Sequence, residues 1–179
     1  RRVIGMQTAQ PLLRHHLTGS EGRVVVVITG IGGIGKSTLA DTMARQVIRT
    51  GCVMDVAWVR VERSLHPLNS QALVVRALAI HQGLDSPTAD PHTLTRAVHH
   101  RLSQVPTLVV IDDLETVDDL NDILQWVATS GGSAKFLLTS RLRPDLTTAA
   151  LPWFEYHLDE LSREESLLLV REYGSRQYP

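Results

Sequence analysis

A glycine-rich stretch, GIGGIGKST, runs from Gly30 to Thr38 and leaves few folds open to this chain. It follows an apolar run at residues 24–28 and precedes apolar residues at helical spacing. The stretch matches G-x-x-x-x-G-K-[ST] between a strand and a helix, which is the context in which this pattern binds phosphate. Glycines leave room for backbone N–H groups to converge on an anion, and the N-terminal end of a helix adds positive charge. The sequence therefore predicts a phosphate-binding loop.

Each polar residue of the loop has an expected role. Lys36 would reach the β- and γ-phosphates of a nucleoside triphosphate, and the Ser37 hydroxyl would hold Mg²⁺. The basic residues are nearly all arginine, with Lys36 and Lys135 as the two lysines, so composition does not account for a lysine at this position. The residues expected to line the nucleotide phosphates are Gly30, Gly32, Gly33, Ile34, Gly35, Lys36 and Ser37.

Composition limits the class of protein and its partners. A chain of 179 residues, 43% hydrophobic and 21% charged, is typical of one globular domain. Its net charge of −1 gives no basic footprint for nucleic acid. Cys52 is the single cysteine, no apolar run is long enough to cross a membrane, and we expect a reducing, cytoplasmic setting. Because the chain begins with Arg1 and ends at Pro179 directly after a helical pattern, we interpret it as a domain excised from a longer protein.

Strand-like and helix-like segments alternate along the chain, which predicts an α/β fold with a mostly parallel sheet flanked by helices. We predict five strands, at Val24–Thr29, Val53–Val61, Thr107–Asp112, Phe136–Ser140 and Phe154–Leu158. Predicted helices include the segment after the glycine-rich loop, Asn69–Gln82, a helix capped by Asp90–Pro91, one beginning near Val117 and ending before Gly131–Gly132, and one introduced by a capping box at 162–165. Residues 64–67 and 143–152 are predicted loops.

Two acidic residues complete the expected site. Asp112 and Asp113 follow a buried strand, and ligands of parallel α/β sheets lie beyond the carboxyl ends of the strands. We expect Asp112 to hold Mg²⁺ through water and Asp113 to orient or deprotonate the attacking water, although the two roles are open to exchange. A further strand ends in Arg141, which would contact the γ-phosphate, whereas Arg143 is interpreted as a surface residue.

Together these segments resemble the nucleotide-binding domain of STAND-class P-loop ATPases, the NB-ARC and NACHT relatives. The resemblance rests on GIGGIGKSTLA, VVIDDLE, FLLTSR, the opening Val3–Ile4–Gly5 and the segment 158–166. It implies a five-stranded sheet of order 5-1-4-3-2 and a switch in which ATP/ADP exchange releases an autoinhibited monomer into a homo-oligomer. It also places Ile4 and Gly5 against adenine, Thr38 on the α-phosphate, and Arg141 as the sensor of the γ-phosphate.

The sequence departs from the family pattern at one position and suggests a division of the chain. Met6 stands where the family has an arginine, so a nucleotide contact is absent or supplied elsewhere, with Arg14 as a candidate. We assign residues 1–22 as a lead-in segment that contributes to the adenine pocket and residues 23–179 as the nucleotide-binding domain. The resemblance implies that lid and winged-helix domains follow Pro179, and that ATP hydrolysis without them is slow.

Two other functions remain open. The chain could be an AAA-type motor or loader that acts on nucleic acid or protein, or a non-catalytic module that bound ADP locks. Guanine specificity would need an N/T-K-x-D segment, and neither lysine is followed by Asp two positions later, so adenine is favoured. The eight histidines form no H-E-x-x-H pattern and are interpreted as surface or boundary residues.

Overall fold

The computed structural model describes residues 5–19, 25–61, 70–84, 90–130, 132–144 and 153–177, of which 173–177 are described by their backbone alone. Ile4 and the predicted loop at 64–67 lie outside the described residues, as does most of the loop at 143–152. The elements are α1 (Ala9–Thr18), β1 (Val25–Thr29), α2 (Lys36–Arg49), β2 (Asp55–Arg60), α3 (Ser70–His81), α4 (Pro91–Gln104), β3 (Thr107–Leu114), α5 (Val117–Thr129), β4 (Lys135–Ser140), β5 (Trp153–His157) and α6 (Arg163–Gln177).

The described strands form one sheet in the order β2-β3-β4-β1-β5, and every neighbouring pair is parallel. This is the predicted order read from the opposite edge, so the predicted fold class is confirmed. Strand β4 lies between β1 and β3, and its Cα register places Ser140 beside Thr29. The carboxyl ends of parallel strands meet at one edge of a sheet. The glycine-rich loop, the two aspartates and Arg141 therefore share that edge.

Apolar layers cover both faces of the sheet. All five residues of β1 are buried, as expected for a central parallel strand between two helical layers. Val25 and Val27 pack with the layer of α3, α4 and α5, whereas Val26 and Ile28 pack with the layer of α1 and α2. Successive strand residues point to opposite faces, which explains the alternation. The buried centre of the sheet holds β1 and the phosphate-binding loop in place.

Helix α1 was not predicted from the sequence, which assigned residues 1–22 as a lead-in segment. Its inner face consists of Ala9, Leu13 and Leu17, all 0% exposed, which pack in the same layer as α2. The spacing i, i+4, i+8 is helical. Thr8 stands at the N-cap without a side-chain cap hydrogen bond, so the usual start signal is weak.

Other boundaries follow the predicted signals, with two differences. Asp90 accepts hydrogen bonds from the backbone N–H groups of His92 and Thr93 at 3.0 and 3.1 Å, which confirms the predicted N-cap of α4. The predicted capping box before α6 forms as expected. Strand β2 is shorter than predicted. Strand β3 continues two residues past Asp112, because its register against β4 shifts between Ile111 and Leu114 and accommodates the irregularity there.

Candidate nucleotide-binding site

The loop after β1 has the curvature of a phosphate cradle. Gly30, Gly33 and Gly35 have φ angles of 147°, 78° and 107°, which L side chains rarely adopt. A Cβ atom on Gly30 would also lie 2.7 Å from the carbonyl oxygen of Leu158. Helix α2 begins at Lys36 directly after the left-handed Gly35, so the unpaired N–H groups of its first turn lie next to this loop. The glycines of the motif are therefore required by backbone geometry.

The remaining loop residues divide between packing and exposure. Gly32 and Gly33 are exposed, and a Cβ atom on Gly33 would have nothing within 4 Å. Ile34 is half-buried and packs against the apolar layer that contains α2. Ser37 and Thr38 are exposed in the first turn of α2. An anion at the mouth of the loop would thus meet backbone and hydroxyl groups.

Lys36 is a buried cation with neutral partners. It is 8% exposed, and its Nζ donates hydrogen bonds to the carbonyl oxygens of Gly30 at 2.9 Å and Ile31 at 2.8 Å. Burial lowers the pKa of Lys36, and the charge of Arg141 lowers it further, while Asp113, Asp112 and Glu115 oppose the shift. A buried ammonium favours a nearby anion, so the residue fits a phosphate group.

Asp112 joins two hydroxyl groups at the base of the site. The Oγ atom of Ser37 donates to Asp112 Oδ1 at 2.8 Å, and the Oγ1 atom of Thr139 donates to the same oxygen at 2.6 Å. Asp112 is 4% exposed. A hydroxyl and a carboxylate held together are hard oxygen donors, which are the ligands that Mg²⁺ prefers. The predicted metal pair, Ser37 and Asp112, is therefore brought together by the fold.

Asp113 turns away from Asp112. Its φ is 73°, the single positive value among the described non-glycine residues, and its backbone N–H donates to Thr139 Oγ1 at 2.9 Å. Its carboxylate pairs with the Nη2 atom of Arg60 at 3.5 Å, with 32% of the side chain exposed. The irregular backbone separates two adjacent like charges, which would otherwise repel. Asp113 therefore reaches solvent while Asp112 stays buried.

Thr139 is a site residue that the sequence prediction missed. It is 1% exposed, donates its hydroxyl to Asp112 and accepts the N–H of Asp113, so it fixes both acidic residues. It lies within the FLLTSR segment, but a threonine in a buried strand is equally typical of β structure. Its role follows from β4 lying beside β3, which the residues alone did not establish.

Arg141 reaches back over the phosphate-binding loop. Its backbone N–H donates to the carbonyl oxygen of Leu114 at 3.3 Å, and its Nη2 lies 2.5 Å from Glu115 Oε1. A Cβ atom on Gly32 would lie 3.6 Å from the guanidinium carbon. The structure thus brings Arg141 to the site. Arg143 is exposed and pairs with Glu155 at 3.4 Å.

Of the first described residues, Met6 lies beside the loop and Gly5 lies beside the segment that leads into α6. Gly5 has a φ of 77°, and a Cβ atom there would collide with Leu161 Cδ2 and lie 3.7 Å from the carboxyl carbon of Glu165. The methyl group of Met6 lies 3.1 Å from where a Cβ atom of Gly35 would be, and Met6 is 5% exposed. An apolar side chain therefore covers the place where the family has an arginine. Arg14 is exposed on α1.

The parallel sheet, the glycine-rich loop and the hydrogen bond from Ser37 to the buried Asp112 together define a P-loop nucleotide-binding domain. The family model described as "NB-ARC domain" matches residues 7–178. The chain belongs to the NB-ARC family. In the part of the chain that the structure describes, no helix combines the length and apolar character needed to cross a membrane.

Curated relatives are plant proteins that are much longer than this chain. Disease resistance protein RPP8 of Arabidopsis thaliana is 32% identical over 143 residues, which cover 78% of this chain and 15% of that protein. A putative inactive disease susceptibility protein of the same plant, LOV1, is also 32% identical over 143 residues, with 78% and 19% covered. The chain thus spans less than a fifth of the length of these relatives.

Solved structures share the fold at low identity. A STAND protein with a tetratricopeptide repeat sensor from Pyrococcus horikoshii has a TM-score of 0.59 and 19% identity, with 97% of this chain and 26% of that chain covered. The Cdc6p protein of Pyrobaculum aerophilum has a TM-score of 0.70 and 11% identity, with 97% and 51% covered. The predicted class, a STAND-type P-loop ATPase domain, is confirmed by the family match and by these folds.

Proposed function

We propose that this chain is the ATP/ADP-binding switch domain of a longer STAND regulatory protein, with slow Mg²⁺-dependent ATP hydrolysis. The observation that carries the proposal is the convergence of Ser37 and Thr139 on Asp112, beside the buried ammonium of Lys36. A cation, a hydroxyl and a carboxylate are the groups that a metal-bound triphosphate requires. Lys36 and Ser37 belong to α2, Asp112 to β3 and Thr139 to β4, so these groups meet only in the folded chain.

Each residue has a defined task in this proposal. Lys36 exchanges its two carbonyl partners for the β- and γ-phosphates, while the N–H groups of residues 32–38 surround the phosphate tail. Ser37 and Asp112 hold Mg²⁺, which supplies positive charge against the developing phosphate charge. Asp113, the more exposed acid, orients the attacking water. Arg141 binds the γ-phosphate and senses its presence.

The contacts of the N-terminal residues support a place for the adenine base of the nucleotide. Met6 lies beside Gly35 of the loop and Gly5 packs against Leu161, which supports the assignment of residues 1–22 to the adenine pocket and 23–179 to the nucleotide-binding domain. Ile4 would complete the apolar contact with adenine, and Thr38 at the helix start would reach the α-phosphate. Met6 supplies apolar surface where an arginine would supply charge, so adenine binding here depends on packing.

The greater length of the relatives supports a proposal that other domains regulate this one. Because this chain corresponds to less than a fifth of those proteins, other domains of the same polypeptide are available to close over the nucleotide. Exchange of ADP for ATP would then release a closed monomer into a homo-oligomer in the cytoplasm. Hydrolysis by the separate chain would be slow, because those domains would supply part of the catalytic site.

One measurement, phosphate release from Mg-ATP, tests the proposed function against two alternatives. The alternatives are an AAA-type motor or loader that acts on nucleic acid or protein, and a non-catalytic module that bound ADP locks. Phosphate release from Mg-ATP is measured for the wild-type chain and for Asp113→Asn, with and without DNA. The proposal predicts slow release that DNA does not change and that Asp113→Asn abolishes while binding persists. Fast release stimulated by DNA would support the loader, and no release with retained ADP would support the locked module.

A further inference from the structure

The guanidinium of Arg141 forms an ion pair with the carboxylate of Glu115. Glu115 follows β3 and Arg141 follows β4, so two strands that pair in parallel place these residues side by side. The 2.5 Å contact joins Arg141 Nη2 and Glu115 Oε1, and the side chains are 52% and 35% exposed. Since both retain access to water, the pair can separate without leaving a charge fully buried.

The pair lies at the phosphate end of the site. The guanidinium carbon is 3.6 Å from a Cβ position on Gly32, and the charges of Arg141 and Glu115 both shift the pKa of Lys36, in opposite directions. The three acidic residues here have separate partners. Asp112 accepts two hydroxyl groups, Asp113 faces Arg60, and Glu115 holds the cation that lies against the loop.

We infer that Glu115 is an internal competitor of the γ-phosphate for Arg141 and thereby sets the preference of the domain for ADP over ATP. The inference rests on the proposed function and adds a residue to its regulation. When ATP binds, its γ-phosphate and the Glu115 carboxylate compete for one guanidinium. ATP must therefore displace the carboxylate from Arg141. ADP has no γ-phosphate, so it binds with the pair intact. Glu115 therefore favours the resting ADP state.

The first experiment compares two nucleotides. Affinities for Mg-ADP and for a non-hydrolysable Mg-ATP analogue are measured by calorimetry for wild type and Glu115→Gln, which keeps length and removes charge. An exposed ion pair that is lost on binding changes an affinity by about fivefold, so the ratio of the analogue Kd to the ADP Kd should fall by about that factor. Asp118→Asn, which neutralises an exposed acid three residues further along, should leave the ratio unchanged.

The Arg141→Ala variant separates competition for Arg141 from a general effect of removing the negative charge of Glu115. In Arg141→Ala, the guanidinium is absent, and adding Glu115→Gln should leave the ratio unchanged because there is nothing to compete for. An equal tightening of both nucleotides in the single variant would overturn the inference, as would a ratio change that persists in the Arg141→Ala background. Wild-type chain that binds neither nucleotide would instead overturn the proposed function itself, and that result is read before any variant is made.

Discussion

The hydroxyl of Ser37 donates to Asp112 Oδ1 at 2.8 Å although the two residues are 75 positions apart in the chain. Ser37 stands in the first turn of α2, and Asp112 lies on β3, two strands away from the strand that leads into the loop. Only the strand order brings them together. The contact therefore reports that the phosphate-binding loop and the acidic strand form one site.

Asp112→Asn tests the proposed metal role of that pair. The amide oxygen can still accept from Ser37 and Thr139, so the local structure should persist, but the charge that attracts Mg²⁺ is removed. Affinity for a non-hydrolysable ATP analogue is measured with and without Mg²⁺. We expect the metal-dependent gain in affinity to shrink by about tenfold, roughly 1.4 kcal/mol. Asp159→Asn, at a carboxylate 87% exposed, is the control and should keep the full gain; an unchanged gain in Asp112→Asn would place the metal elsewhere.

Thr139→Val tests the bridge between the two acidic residues. Valine matches the shape of threonine but leaves the N–H of Asp113 without its hydroxyl acceptor and removes a donor to Asp112. A buried polar group left unsatisfied costs about 1–3 kcal/mol, so the free energy of unfolding should fall by that amount. Denaturant unfolding measures it, and Thr139→Ser, which keeps the hydroxyl, serves as the comparison. Equal stability of the Val and Ser variants would show that the bridge contributes nothing.

Leu13→Ala tests whether α1 is an integral part of the fold. Leu13 is 0% exposed in the apolar layer shared with α2, and truncation of a buried leucine costs about 2–5 kcal/mol. Its neighbour Leu12 is 41% exposed, so Leu12→Ala should change the free energy of unfolding by less than about 0.5 kcal/mol. The difference between the two variants, measured by denaturant unfolding, isolates burial from helix propensity. Similar small losses for both would show that α1 is not packed on the sheet.

The sequence predicted the parts of the site that depend on local pattern. The glycine-rich loop requires left-handed backbone at Gly33 and Gly35, and glycine marks such positions. The apolar runs predicted the buried strands, since strands covered on both faces are continuously apolar. Asp90 and the capping box before α6 gave their helix starts because those residues bond to neighbouring backbone.

Other features depend on contacts between distant residues and were not predicted. Helix α1 has no side-chain cap at Thr8, and its buried face consists of three residues, so the sequence carried only a weak signal for it. The left-handed backbone of Asp113 is held by Thr139 from the neighbouring strand, and no pattern within β3 announces it. The pairing of Glu115 with Arg141 likewise arises because β3 and β4 are adjacent.

Calorimetric titration of Mg-ADP and a non-hydrolysable Mg-ATP analogue into wild type and Lys36→Ala tests whether the glycine-rich loop binds the nucleotide phosphates. Arg45→Ala removes an exposed cation of the same helix and serves as the control. Removing the one buried ammonium of the loop should weaken both nucleotides by more than about a hundredfold, roughly 2.7 kcal/mol or more, while Arg45→Ala binds like wild type. Unchanged affinity in folded Lys36→Ala would show that this loop does not bind the nucleotide phosphates.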